Sequence, residues 1–272
     1  MTVKTLLLFA AFFLYNCDNL QTQPNASFKT KNGEKFHEGI FPHEKGTKLL
    51  QKLQKKYKPN QVLGYGAARD VLYKETADYH EFRLTCVYTG YSIWLDPRQD
   101  PSTNAYEQGM NCEHSWPQSM GAKGQAKSDM HHLFPTREGV NAARSNHPFG
   151  EVPDHETDRW YLSDVIQDEI PTKNIDGYSE LDSDSGHFEP REDMKGNIAR
   201  AMFYFYTMYN NQSGVNTSFF EGQKNTLRQW HIADPVDDFE AHRNHFIAKH
   251  QDGKVNPFIE DRSLVERAFF EN

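Results

Sequence analysis

The sequence predicts an α+β fold, a mostly helical domain around a small antiparallel sheet, and three observations predict it. Apolar residues recur at spacings of three and four in the second half, as in Met194, Ile198, Met202, Phe205 and Tyr209. Short runs rich in β-branched and aromatic residues, bounded by Gly and Pro, lie in the first half and read as brief strands. The composition, 37% hydrophobic and 25% charged, excludes a polytopic membrane protein and equally an acidic, aromatic-poor disordered chain. At 272 residues the chain can build a real core, and 4 Trp, 13 Tyr and 19 Phe are available to fill it.

Residues 1–17 read as a secretory signal: Lys4 precedes an apolar run from Leu6 to Leu14, too short to cross a bilayer as a mature helix. The mature protein is therefore expected to be secreted or periplasmic and, by default, monomeric. Cys17 directly follows the run and is a candidate lipid anchor, although Leu14-Tyr15-Asn16 lacks the small residues that precede such cysteines. Residues 18–43 are expected to form a flexible extension and 44–272 the folded domain.

Leu49, Leu50, Leu53 and Tyr57 fall at helical spacing between Gly46 and Pro59 and predict the first helix. A second, short one is expected over Ala67 to Lys74, after the Gly64-Tyr65-Gly66 turn. Phe82 to Tyr88 and Ser92 to Leu95 predict a strand pair, and Pro97 to Tyr106 a loop. Next come a strand over Asn111 to Ser115, a connection bearing Gly and Lys, a short strand over Met130 to Phe134, and a helix after Pro135 that carries Asn141. The helix from Met194 to Tyr209 follows. Asp234-Pro235 supplies a capping side chain and an N1 proline for a last helix with Val236, Phe239, Phe246 and Ile247 on one face.

Net charge is -8 and pI about 5.9, so no global basic field announces a nucleic-acid binder. The distribution is uneven. Between Glu151 and Asp193, 14 acidic residues face three basic ones, a local net of -11 that leaves +3 elsewhere. That segment reads as an acidic solvated loop, with room for a polyanion on the rest of the surface. Cys86 and Cys112 are either one disulfide, worth about 3 kcal/mol in the chain-entropy picture, or two buried thiols. A zinc site drawing on Cys112, His114 and a later His matches no finger spacing.

Chemistry concentrates between Met110 and Val152, where Glu113, His114, Asp129, His131, His132, Asn141 and Arg144 occur together. Cleaving a phosphodiester needs a base to activate water, a cation to neutralise charge on phosphorus, and a group to stabilise the departing oxygen. Glu113 is a hard oxygen ligand next to His114, and neighbours on a strand point to opposite faces. Both serve one site only if the strand ends or bulges there, which Trp116-Pro117 favours. His131 and His132 likewise face oppositely on a regular strand, so at most one points at the site. Trp116 is more often core than a base-stacking platform. His114 and Asn141 each have a duller reading, a hydrogen-bonded structural imidazole and a turn-stabilising amide.

Three stretches carry a resemblance: Asn111-Cys112-Glu113-His114-Ser115-Trp116-Pro117, Asp129-Met130-His131-His132-Leu133-Phe134-Pro135, and Val140-Asn141-Ala142-Ala143-Arg144-Ser145-Asn146. Together with Gly196-Asn197-Ile198-Ala199-Arg200, Asp234-Pro235-Val236-Asp237 and Asn256-Pro257-Phe258, in order, they resemble the endonuclease I family of periplasmic and secreted non-specific nucleases. The resemblance implies a ββα-metal (His-metal finger) catalytic motif. It makes His114 the general base, has Glu113 and Asn141 hold one Mg²⁺ (Mn²⁺ or Ca²⁺ substituting), and implies 5′-phosphate ends. Arg144 is the candidate phosphate clamp, since its planar fork matches phosphate oxygens. Two positions depart from the family pattern: His132 stands where its usual Asn follows the first His, and the connection from Ser119 to Asp129 is short. Lys123 or Lys127 could replace an arginine that longer relatives supply there.

The leading expectation is an exported Mg²⁺-dependent endonuclease acting on DNA and RNA through phosphate contacts, hence with little sequence preference. A non-catalytic surface protein binding polyanions or a partner is the alternative; a zinc hydrolase with another substrate is a third.

Overall fold

The computed structural model describes residues 39–77 and 81–271. The expected signal peptide, Cys17 and the extension up to residue 38 lie outside the described residues. Packing begins ahead of the expected boundary at 44: Ile40 N–H donates to Asp261 at 2.8 Å, Arg267 holds the Ile40 and Phe41 carbonyls, and both apolar side chains pack on the core.

Helix α1 (Gly46–Tyr57) buries Leu49, Leu53 and Tyr57, the positions its spacing predicts. Helix α2 (Tyr65–Thr76) begins at Tyr65 and buries Ala68, Leu72 and Tyr73. Strands β1 (Arg83–Thr85) and β2 (Ser92–Trp94) form the expected antiparallel pair, with Leu84 opposite Ile93. The stretch predicted as loop contains α3 (Pro101–Glu107), where Asp100 accepts the Thr103 N–H at 2.8 Å and Pro101 takes a first-turn position.

The frame of the candidate site follows. Strand β3 (Met110–His114) pairs antiparallel with β4 (Leu133–Arg137), Glu113 opposite Phe134 and His114 opposite Leu133. Between them lie the short α4 (Gln125–Ser128) and a 3₁₀ turn at Met130–His132. The sequence predicts a strand from Met130. The chain turns instead, because the Asp129 carboxylate accepts the His131 N–H at 3.0 Å and closes that turn. Helix α5 (Glu138–Arg144) follows β4 directly and carries Asn141.

The acidic segment is not a solvated loop. It folds into a four-stranded antiparallel sheet of order β6-β5-β7-β8, from β5 (Arg159–Leu162), β6 (Val165–Gln167), β7 (Ser179–Asp182) and β8 (His187–Glu189). Three of its carboxylates on the strands have internal partners. Glu180 accepts the Thr157 hydroxyl at 2.6 Å, Glu189 pairs with Lys195 at 2.7 Å, and Asp182 accepts the Asp184 N–H at 2.8 Å.

Helix α6 (Lys195–Tyr209) is buried almost all round, so the predicted stripe is part of a central helix. It packs on α7 (Thr217–Ala233), which the sequence reading did not predict, with Asn216 as its cap. Helix α8 (Asp238–His250) is capped by Asp237, which accepts the Glu240 N–H at 2.6 Å. Asp234, the predicted cap, instead ends α7 and accepts the Gly196 N–H at 2.8 Å. Helices α9 (Pro257–Glu260) and α10 (Leu264–Phe269) close the body. Among the described residues no helix is long and apolar enough to cross a membrane.

The core is aromatic: Phe203, Phe220 and Phe269 pack ring against ring within 5.5 Å. At its centre Arg200 meets Glu240 through two bonds of 2.7 and 2.6 Å, both side chains being buried. The disulfide is not formed; Cys86 and Cys112 are free and buried. Cys86 contacts the Thr136 hydroxyl at 3.6 Å, whereas Cys112 lies opposite Pro135. Side chains at 135 and 136 leave opposite faces of β4, so the two thiols sit on opposite faces of the hairpin.

Burial also couples stability to pH. His231 lies on α7, its Nε2 donating to the Arg262 carbonyl at 3.0 Å while the buried Nδ1 has no partner among the described residues. Burial pushes its pKa down to about 4. The folded protein therefore keeps the ring neutral while the unfolded chain protonates it near 6.5. The stabilisation is full above pH 6.5 and is lost as pH falls to about 4, on the order of 3 kcal/mol. In His231→Gln the amide still donates but does not titrate. Urea unfolding should show wild type losing stability relative to this variant between pH 7 and 4; a difference independent of pH contradicts the assignment.

Candidate active site

The β3–β4 hairpin and α5 bring the predicted residues to one end of the frame. Glu113 is 2% exposed, and its Oε1 accepts from the Tyr88 hydroxyl at 2.8 Å and from Arg144 at 2.9 Å. Among the described residues no side chain bonds its Oε2. Burial pushes its pKa up, against the pull of Arg144, Tyr88 and the His114 N–H.

Asn111 shares the Glu113 face of β3, two residues away. From α5, the Asn141 amide nitrogen donates to Asn111 Oδ1 at 2.7 Å and reaches the Cys112 carbonyl at 3.5 Å. A carbonyl only accepts, so the nitrogen is the atom facing β3, and Asn141 Oδ1 has no partner among the described residues. Nor, among those residues, is any group of three or more His, Cys, Asp or Glu placed to hold a metal. What this face offers is one carboxylate oxygen and one amide oxygen, neither claimed by another side chain. Such hard donors fit a Mg²⁺ that keeps most of its ligands as water and phosphate.

His114 closes β3, so its ring sits where the strand ends. Its Nε2 lies 3.0 Å from the Lys127 carbonyl. Because that oxygen only accepts, Nε2 carries the proton and Nδ1 keeps its lone pair. Burial, with His132 adding to it, pushes the pKa down to about 3, so the ring is neutral. Its ring neighbours are Tyr65 at 5.3 Å and His132 at 5.4 Å.

Arg144 is not a surface clamp. It is fully buried, with Nη1 on Glu113 and on the His114 carbonyl at 3.0 Å, Nη2 on the Ser115 carbonyl at 2.7 Å, and the guanidinium over Phe149. It ties α5 to the end of β3 and neutralises Glu113. Trp116 is also core: fully buried, it stacks on Phe205 at 4.6 Å and donates to the Met120 carbonyl.

Behind the site, Asp129 is fully buried and accepts from Tyr204, Tyr209 and Gln251 at 2.7–2.8 Å. Burial alone would raise its pKa; His131, His132 and these donors outweigh it and hold the carboxyl below the usual range. Both histidines are buried: His132 lies beside His114, while His131 packs on Tyr204 at 4.7 Å and bonds the Lys254 carbonyl. The sequence reading missed Tyr88 and Asn111. Tyr88 has no local signal, being 25 residues from its partner, whereas Asn111 stands two positions before Glu113 and strand alternation could have found it.

The endonuclease I family profile matches residues 45–263. The chain belongs to the endonuclease I family. Two extracellular ribonucleases, from Bacillus subtilis (strain 168) and Bacillus amyloliquefaciens, are each 32% identical to it over 164 residues, 55% of this chain and 50% of theirs. The chain thus spans about half the length of the curated relatives it matches. Within the endonuclease I match fall Glu113, His114, Asn141 and Arg144.

Proposed function

We propose that the protein is an exported, divalent-metal-dependent endonuclease that hydrolyses phosphodiester bonds in RNA and DNA with little sequence preference. The observation that carries this reading is the His114 tautomer: a neutral, buried imidazole whose Nε2 proton is spent on the Lys127 carbonyl, leaving Nδ1 to accept a proton. His131, His132 and His231 show the same Nε2-to-carbonyl bond but with Nδ1 enclosed, so what sets His114 apart is its place, at the end of a strand directly after the Glu113 carboxylate, with Nδ1 not among the enclosed nitrogens. The extracellular ribonucleases among its relatives favour RNA as a substrate and an extracellular location.

In this mechanism His114 Nδ1 takes a proton from the water that attacks phosphorus. Glu113 and Asn141 would hold Mg²⁺, which when bound supplies the positive charge that stabilises the phosphate in the transition state. Tyr88 and Arg144 fix Glu113 Oε1 and so aim Oε2; Asn111 does the same for Asn141. Arg144 is a positioning residue here, not a phosphate contact. With contacts limited to phosphate, base identity goes unread, and 5′-phosphate products follow if the 3′ oxygen departs.

Incubation of the purified protein with ribosomal RNA and with circular plasmid, in Mg²⁺ or Mn²⁺ and then in excess chelator, tests this. Cutting that disappears with chelator and returns with added metal is the expected result. A wild-type protein that cleaves neither nucleic acid in any divalent metal overturns it.

A further inference from the structure

Beside His114 lies a group of side chains that the cleavage mechanism leaves unused. Tyr65, the first residue of α2, stands 5.3 Å from the His114 ring. Over the Tyr65 ring lie two cations, Lys127 Nζ at 4.7 Å from α4 and the Arg69 guanidinium at 4.9 Å from the next turn of α2. Neither has a carboxylate within ion-pair distance among the described residues, and Arg69 Nε is buried with no hydrogen-bond partner. Asp100 feels the charge of Arg69 but stands beyond that distance.

This is unusual in a chain of net charge -8, where acidic partners are plentiful. Of the other cations near the frame, Arg144, Arg200 and Lys195 pair with Glu113, Glu240 and Glu189, while Arg137 and Arg243 are spent on backbone carbonyls. Two cations held against one ring repel each other, and a bound anion would offset that repulsion. Arg69 and Lys127 are both half-buried, and the glycines flanking Tyr65 border open space, since a Cβ added at Gly64 or Gly66 would meet nothing within 4 Å. Lys127 also belongs to the site through its backbone, because its carbonyl fixes the His114 tautomer.

We propose that Arg69 and Lys127 form a phosphate-holding subsite beside the general base, with Tyr65 as the post that positions both. The subsite takes backbone phosphate of the bound strand next to the scissile bond, and it rests on the nuclease reading above. Tyr65 is a positioning residue: the two cations and His114 crowd its ring, leaving it no role as a base-stacking platform. The subsite reads charge alone, in keeping with cleavage that ignores sequence.

Anisotropy of a labelled single-stranded RNA oligonucleotide, titrated across salt with proteins that also carry His114→Ala, tests the subsite directly. In Arg69→Gln and in Lys127→Gln the slope of log affinity against log salt should shrink by about 0.7 for each phosphate no longer neutralised. Lys127→Arg should keep the parent slope, as should Lys249→Gln on the exposed face of α8. Tyr65→Leu should weaken binding more than Tyr65→Phe, which retains the ring. With His114 intact, Arg69→Gln and Lys127→Gln should raise KM far more than they lower kcat, and melting temperatures read alongside exclude unfolding. Slopes equal to the parent's in both Gln variants overturn the subsite while leaving the nuclease reading intact. A wild-type protein that never cleaves overturns the reading and the subsite with it.

Discussion

His114→Ala should lower kcat for RNA cleavage about 1,000-fold, the usual worth of a positioned general base. Nδ1 is the ring's remaining acceptor, because Nε2 is committed to the Lys127 carbonyl. Alanine removes that acceptor and with it the route for the water's proton. His114→Gln is the sharper variant, since its amide can still donate to Lys127 and fill the space but has no basic nitrogen. Both should lose activity alike while unfolding cooperatively. A Gln variant within tenfold of wild type would mean that the imidazole serves packing, not proton transfer.

The second large effect concerns Arg144. A phosphate clamp and a buried tie predict different things for Arg144→Met. Loss of a clamp would leave stability unchanged and raise KM. Loss of the tie strands Glu113 as a buried carboxylate and frees the His114 and Ser115 carbonyls, at a cost of about 3–5 kcal/mol. Urea unfolding should show that loss. Adding Glu113→Gln should return part of it, because the carboxylate left uncompensated by the first change is then gone. Unchanged stability in Arg144→Met would restore the clamp.

Much of this site can be read from the sequence because the elements that hold it are local. Glu113 and His114 are neighbours, and Asn141 and Arg144 lie one helical turn apart on α5. Strand β3 is read from its own residues, but β4 only in part: the expected strand over Met130 to Phe134 shares just two residues with the observed Leu133–Arg137, which runs on through Pro135. Arg144 shows the limit of this reading. Its guanidinium suits phosphate and carboxylate equally, and only the fold reveals that Glu113 and two carbonyls claim it first. Tyr88 and Tyr65 reach the site from elements far along the chain, so nothing in their own neighbourhood marks them.

The acidic segment fails for a different reason. Carboxylates are counted as solvent-seeking, yet Glu180 and Glu189 sit on short strands with their partners on Thr157 and Lys195. Net charge cannot see such pairing. The same Asp-Pro dipeptide occurs before α3 and after α7, and only in the first case does it open a helix. At Asp234 the carboxylate is taken by the start of α6, and Asp237 caps α8 in its place.

The central claim is that Glu113 and Asn141 offer their two remaining oxygens to one cation beside a neutral His114. Single-turnover cleavage of an end-labelled RNA across a Mg²⁺ titration, in wild type, Glu113→Gln and Asn141→Ala, measures it most directly. The account predicts saturable Mg²⁺ dependence, 5′-phosphate products, and midpoints raised on the order of 10–100-fold in each variant. Full-rate cleavage in chelator, or variant curves that superimpose on the wild type, would contradict it.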